Sequence, residues 1–212
     1  MSLVTKVSET GFRYPYVIGW TGEAVEEHAL RWRPHRDGER LSYAVERRTD
    51  VAFGVLRLRQ GQSMMGKPDF TTVNTRRQWR CMDKLLCQVC AQSAVDPDTG
   101  RTWWLLSSSE GAAGDGFTNA PPTCRTCIPE AISQCSHLRR NAAVFTVGAS
   151  WPYGVRGDVF LPYLPPVVPF QENAVVRFAD TEGIRHCIAR ELLVRLHDVQ
   201  PAVTDRETRR AA

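Results

Sequence analysis

Two Cys-x-x-Cys pairs, Cys87/Cys90 and Cys124/Cys127, flank residues 91–123, a stretch with no other cysteine and no histidine. Each pair sets two thiols on one side of a tight backbone knuckle. A tetrahedral Zn²⁺ takes four thiolates at about 2.3 Å, so two knuckles complete one closed site. Four thiolates leave no open position for water or substrate, which makes such a zinc structural rather than catalytic. Two redox-active pairs or four coincidental core thiols are the alternatives, and neither accounts for both spacings. Three further donors stand nearby in sequence, Cys81, Cys135 and His137. They either form part of a second metal site or are residues packed around the first.

The elements that must position the four thiols are legible around them. "SAVDPDTGRTWWLL" has the turn chemistry of a hairpin, with Pro at an early corner and Gly for a positive φ. "TCRTCIPEAISQCSHLRR" places Pro129 and Glu130 in the first turn of a helix expected to run to about Arg140. Knuckle, hairpin and a helix carrying the second pair resemble the treble-clef superfamily of zinc modules. That superfamily includes HNH-type nucleases, which need a general-base histidine near the hairpin. Residues 91–123 have none, so the nuclease reading is disfavoured. Asp96, Asp98 and Asp115 are candidate cation ligands but equally ordinary turn formers.

Around the module, "YPYVIGW" and "VAFGVLRLR" read as strands. "TGEAVEEHALRW" reads as a helix capped by Thr21, with Ala24, Val25, His28, Ala29 and Trp32 at helical spacing. "RWRPHRDGER" is a basic turn punctuated by Pro34 and Gly38, and "GQSMMGKPDF", with Met64 and Met65, is a loop. "SSSEGAAGDGFTNAPP" is a Gly/Ser-rich loop. "AAVFTVGASWPYGVRGDVFLP" reads as two strands joined by a Pro/Gly turn, and "YLPPVVPF" as an extended connector. "DTEGIRHCIARELLVRLHDV" reads as an amphipathic helix, with Ile184, Cys187, Ile188, Leu192 and Leu196 on one face. Cys187 is then a core residue. His28, His186 and His197 fall on these helices without a carboxylate or nucleophile partner. The last residues, "TDRETRRAA", read as a polar tail.

The expected fold is α+β, with a treble-clef-like zinc module embedded in a mixed domain. Residues 1–80 form an N-terminal mixed region, 81–141 the module, and 142–212 a strand pair, Pro-rich connector and amphipathic helix, together one cooperative unit.

The 212 residues carry a formal charge of +4, and Lys6, Lys67 and Lys84 are the only lysines, so the positive charge is nearly all arginine. Arginine suits phosphate, although a GC-rich genome also enriches it. "TRRQWRC" interleaves Arg76, Arg77 and Arg80 with Trp79. With Arg139 and Arg140 these residues are the candidate nucleic-acid contact, guanidinium for phosphate and indole for base stacking. The competing reading is a solvated element edge with one buried tryptophan. No phosphate-binding loop, dinucleotide fingerprint or His-Glu-x-x-His occurs. The start lacks a secretion-signal pattern and no apolar run reaches a membrane span, so the expectation is a cytoplasmic protein with reduced thiols.

"RRQWRCMDKLLCQVC", "WWLL", "PPTCRTCIPEAISQCSHLRR" and "GVRGDVFLP", across about residues 75–165, are similar in pattern to a group of uncharacterised actinobacterial proteins with paired Cys-x-x-Cys knuckles. The resemblance implies a GC-rich bacterial source and a zinc module, and no activity for any residue. The leading functional expectation is a zinc-stabilised binding protein whose partner is nucleic acid or another protein, in bacterial regulation or phage-type biology. The alternative is an enzyme, for instance of specialised metabolism, working through a pocket outside the zinc site. A binding protein is expected to present a continuous arginine surface, and an enzyme an enclosed apolar cleft with converging polar groups. The sequence leaves the oligomeric state open.

Overall fold

The computed structural model describes residues 6–9, 11–26, 29–107, 116–165 and 168–202. The Gly/Ser-rich stretch 108–115, with Asp115, the polar tail from 203, and His28 lie outside the described residues. The chain is mixed α and β, dominated by strands, and divides into two compact units. Unit 1 comprises residues 1–18, 77–151 and 194–212, and unit 2 comprises 19–76 and 152–193. Residues 142–212, expected as one C-terminal segment, are thus shared between both. No helix among the described residues is long and apolar enough to cross a membrane.

In unit 2, β2 (Leu30–His35) and β3 (Gly38–Tyr43) form an antiparallel hairpin. Its register runs from Leu30 opposite Tyr43 to His35 opposite Gly38, leaving Arg36–Asp37 as a two-residue turn. Where the sequence led to a helix over 21–32, the described residues, 21–26 and 29–32, are turn, bridge and strand instead. Thr21 does cap, but its hydroxyl accepts from Lys67 N–H at 3.0 Å rather than from a helical turn. β4 (Val51–Ala52) and β5 (Val55–Arg57) are joined through Phe53 and Gly54. Both have positive φ (52° and 78°), as a type I′ turn requires. β6 (Pro68–Val73) and the start of α1 (Thr75–Asp83) complete the N-terminal part.

The expected C-terminal helix is the largest correction. Only Thr181–Arg185 is helical (α4), and Cys187–Pro201 is one long strand, β11. Within unit 2 the strand order is β10 (Gln171–Arg177), β9 (Ala142–Val159), β11, β5, β4, with β11 parallel to β5 and β10 antiparallel to β9. An inner strand is covered on both faces and reads as a nearly continuous apolar run, not a clean alternation. Ile188 and Ala189, then Leu192, Leu193 and Val194, are all buried. Such a run meets helical spacing by coincidence.

β9 is likewise a single strand where two were expected. Its glycines serve close approach, not turning: a Cβ on Gly157 would lie 2.2 Å from the Ile188 carbonyl oxygen and 2.8 Å from Cys187 Sγ. Cys187 is a fully buried core thiol, as expected, although on a strand; burial pushes its pKa up to about 12. His186 is buried, edge-on to Trp32 at 5.2 Å. The core comprises Leu41, Tyr43, Leu56, Leu58, Phe160 and Ile188.

In unit 1, β7 (Thr102–Ser107) pairs antiparallel with the first part of β9, Thr102 opposite Val147 through Ser107 opposite Ala142. β8 (Phe117–Thr118) pairs with β11 at Arg195 and Val194. The helix expected to reach Arg140 is broken at Cys135, whose extended backbone (φ −103°, ψ 116°) separates α2 (Ile128–Gln134) from α3 (Ser136–Asn141). Trp103, Leu105 and Ile128 form the core against which α2 and α3 pack.

Candidate metal centre

The first knuckle hangs from the end of α1. Leu85, with φ 51°, ends the helix, and Leu86 N–H donates to the Cys81 carbonyl at 2.9 Å. The chain then turns back on itself: Cys87 N–H donates to the Gln92 carbonyl at 2.7 Å and Ala91 N–H to the Cys87 carbonyl at 2.8 Å. Ala91 takes φ 57° to allow this. Val89 N–H points at Cys87 Sγ, 3.4 Å away, a contact that favours a thiolate there. The second knuckle leads into α2, with Cys127 N–H donating to the Cys124 carbonyl at 2.9 Å and Cys127 as the helix N-cap residue.

These two turns bring the Sγ atoms of Cys87, Cys90, Cys124 and Cys127 within 4.8 Å of one another. Cys90 and Cys124 are 3.8 Å apart, far longer than a disulfide, and all seven cysteines are free thiols. Cys87 and Cys127 are fully buried, Cys90 nearly so, and Cys124 is half-buried. The thiols also answer one another electrostatically. Cys90 is held low chiefly by the hydrogen bond with Cys124, and Cys124 is lowered to about 7 chiefly by that with Cys127. Cys87 and Cys127 are driven up, each chiefly by its hydrogen bond with Cys124. Four buried thiolates repel one another, so all four are deprotonated together only around a cation. The cluster can hold one metal ion.

Several supports were invisible in the sequence. Arg13 grips Glu130 of α2 through its backbone N–H (2.8 Å), Nε (2.9 Å) and Nη2 (2.6 Å). Burial pushes the Glu130 carboxyl up, but these bonds from Arg13 outweigh it and hold the net value low. Tyr16 and Val17 N–H groups donate to the carbonyls of Val89 and Gln88 in the first knuckle, at 3.1 and 3.2 Å. Gln88 in turn reaches the strand before the second knuckle, its N–H donating to the Pro122 carbonyl and its Nε2 to Thr123 Oγ1, both at 2.8 Å. The N-terminal segment thus straps both knuckles together.

The other predicted donors stand apart. Among the described residues Cys81, Cys135 and His137 join no group of three or more metal-ligating side chains. Cys81 is fully buried beside the first knuckle, its Sγ 3.9 Å from the Cys87 carbonyl oxygen, and burial pushes its pKa up to about 12. His137 is exposed and Cys135 half-buried on the helix break. Asp96 is a turn former: it accepts from the N–H groups of Asp98 and Thr99 at 3.0 and 3.1 Å and from Trp103 Nε1 at 2.9 Å.

The candidate nucleic-acid contact is only partly at the surface. Arg77 is 2% exposed and donates through Nη2 to the Ile18 carbonyl at 2.7 Å; Trp79 is 3% exposed. Neither can meet a phosphate or stack on a base. They anchor α1 and with it the first knuckle, so the Arg/Trp interleaving serves packing. Arg76 is half-buried, while Arg80, Arg139 and Arg140 are exposed. Among the described residues Arg139 and Arg140, in the last turn of α3, make no ion pair.

Compared with known proteins, the chain matches no protein-family model, no curated protein and no solved structure.

Proposed function

We propose that the protein is a zinc-stabilised binding protein, in which the metal holds a treble-clef-like module together and performs no chemistry. The observation that carries this reading is the convergence of four cysteine Sγ atoms within 4.8 Å on two knuckles, one of them at a helix start. Metal–sulfur bonds of about 2.3 Å place the corners of a tetrahedron about 3.8 Å apart, which matches the 3.8 Å between Cys90 and Cys124. Thiolate-only ligation favours Zn²⁺ over hard cations such as Mg²⁺ or Ca²⁺. With every corner taken by sulfur, the ion has no position for a substrate or an activated water.

The partner proposed is nucleic acid, met through its phosphates. Arg139 and Arg140 support this, since they are exposed side by side and unanswered by carboxylates among the described residues. With Arg77 and Trp79 buried, recognition would rest on charge, with no base stacked on Trp79.

Elemental analysis together with a salt titration tests the proposal. The purified protein should carry one zinc, and Cys124→Ser should lose it. Binding to mixed-sequence duplex DNA at about 50 mM salt should weaken steeply with salt, and Arg139→Ala/Arg140→Ala should lower the log–log slope by about 1.8. A chain with no zinc ends the structural-metal reading. Binding that is absent at low salt, or indifferent to the double variant, ends the nucleic-acid reading.

A further inference from the structure

Unit 2 contains a pocket of about 270 Å³ that the metal centre does not use. Its apolar lining comes from the sheet: Leu41 of β3 and Leu56 of β5, both buried, and the partly exposed Val51 of β4. The β4–β5 turn contributes Gly54, which adds no side chain to fill the space.

The polar side chains of the lining are basic. Arg40, Arg185 and His35 contribute, and no acidic residue does. The charge of Arg40 is already answered by Glu46, with Nη1 to Oε1 at 2.5 Å. Among the described residues, that of Arg185 is not. Its Nη1 donates to the Thr181 carbonyl at 3.2 Å and its Nη2 to the Asp37 carbonyl at 2.9 Å, both neutral acceptors. Its Nε is buried with no hydrogen-bond partner among the described residues. His35 Nδ1 accepts from the Asp37 N–H at 3.3 Å and lies 3.7 Å from Asp37 Oδ2, so Nε2 carries the proton of the neutral ring and Asp37 is an acidic group beside this wall.

A guanidinium without a counter-ion and a buried N–H without an acceptor both carry a desolvation cost that an anionic ligand would offset. Among the described residues of the lining Arg185 is the one cation left uncompensated, and much of the remaining wall is aliphatic. That combination suits a monoanion with an apolar body better than a multiply charged phosphate. We propose that this pocket binds a small organic carboxylate bearing a single ring or short branched chain, with the carboxylate on Arg185 and the apolar group against Leu41, Val51 and Leu56. The inference is independent of the metal centre and of nucleic-acid binding.

Methyl NMR of the full chain tests it, with benzoate, benzamide and inorganic phosphate as separate probes. Benzoate should shift the methyl signals of Leu41, Val51 and Leu56 saturably. Benzamide, isosteric but neutral, should bind at least about tenfold more weakly, because it lacks the charge-assisted hydrogen bonds. Arg185→Gln should weaken benzoate about tenfold and leave benzamide nearly unchanged. Arg185 also ties the hairpin tip to α4, so a second variant avoids that contact: Val51→Trp, at the partly exposed wall, should abolish benzoate binding with melting unchanged. The proposal is overturned by no saturable shift at about 10 mM benzoate, a concentration that would detect even millimolar affinity. Equal affinity for benzamide, phosphate binding as tightly as benzoate, or undiminished benzoate binding by Val51→Trp would overturn it as well.

Discussion

The two units hold their polar groups in opposite ways. Unit 1 gathers four thiols into its interior, where Cys87, Cys90 and Cys127 pack with Val89 and Ala94. On the proposed reading a zinc ion at its centre stabilises that arrangement. Unit 2 pairs its buried charges internally. Beside its aliphatic core it buries an ion pair, Arg59 with Asp50, whose side chains are 3% and 1% exposed. Arg59 makes a bidentate contact with Asp50 at 2.9 and 2.6 Å, donates to the Val45 carbonyl at 2.6 Å, and lies 4.1 Å from the centre of the Tyr43 ring. Unit 1 thus offers four ligands to a charge it does not itself contain, whereas unit 2 supplies both charges of its buried pair from its own sequence.

That contrast can be broken most forcefully at the thiols. Cys87→Ser or Cys124→Ser should unfold unit 1, since structural zinc binding is folding free energy on the order of 10 kcal/mol. Circular dichroism and zinc content, measured together, check it; wild-type melting with a full zinc complement would mean the four thiols are not ligands. The next largest effect belongs to unit 2. Asp50→Asn leaves the Arg59 guanidinium buried without a counter-charge and should cost about 3–5 kcal/mol, read by denaturant unfolding, with zinc retained.

Acid separates the two units by a different route. Burial pushes the Asp50 carboxyl up, but the hydrogen bonds from Arg59 and the Arg47 N–H outweigh it and keep the net value below the ordinary 3.8. A carboxyl depressed in the folded state stabilises above its unfolded value, and that contribution is lost as pH falls through the folded value. Melting of unit 2 should therefore stay level from neutral pH to about 5 and fall only below about 4. Zinc, which competes with protons for thiolates, should leave unit 1 at a higher pH. A simultaneous loss of both would remove the distinction.

Smaller changes sharpen it. Cys187→Ala, a core thiol of unit 2, should cost on the order of 1 kcal/mol and keep the full metal content; loss of zinc would place Cys187 among the ligands. Ala91→Gly should be mildly stabilising, by a few tenths of a kcal/mol, because Gly adopts the positive φ of the first knuckle without a Cβ clash. Thermal melting of the variant checks this, and a marked destabilisation would mean that packing of the Ala91 methyl outweighs the backbone term.

The site was more legible than the fold. Metal ligation is nearly local: a Cys-x-x-Cys knuckle constrains its own thiols, and only the meeting of two knuckles is long-range. The DPDTG turn was legible for the same reason, since Asp96 bonds to the backbone two and three residues on. Strand β11 was not, because a doubly buried strand shows no alternation, and its apolar run met helical spacing equally well. Thr21 misled as a cap because its partner, Lys67, is distant in sequence. Arg77 and Trp79 misled because surface-type residues were used inside. Nothing local announces that a guanidinium will donate to the carbonyl of Ile18. The pairing of Arg13 with Glu130 escaped notice for a similar reason, the two being distant in sequence and Arg13 ordinary in type.

The central claim is that the metal holds unit 1 and is foreign to unit 2. Hydrogen exchange of the full chain, before and after removal of metal by a chelator under reducing conditions, tests it most directly. Amides of the two knuckles and α2, Cys87 to Ala91 and Cys124 to Gln134, should lose protection on chelation and regain it when Zn²⁺ is restored. Amides of Leu56, Leu58 and Ile188 should stay protected throughout. Unchanged protection at the knuckles, or equal loss in both units, would contradict the account.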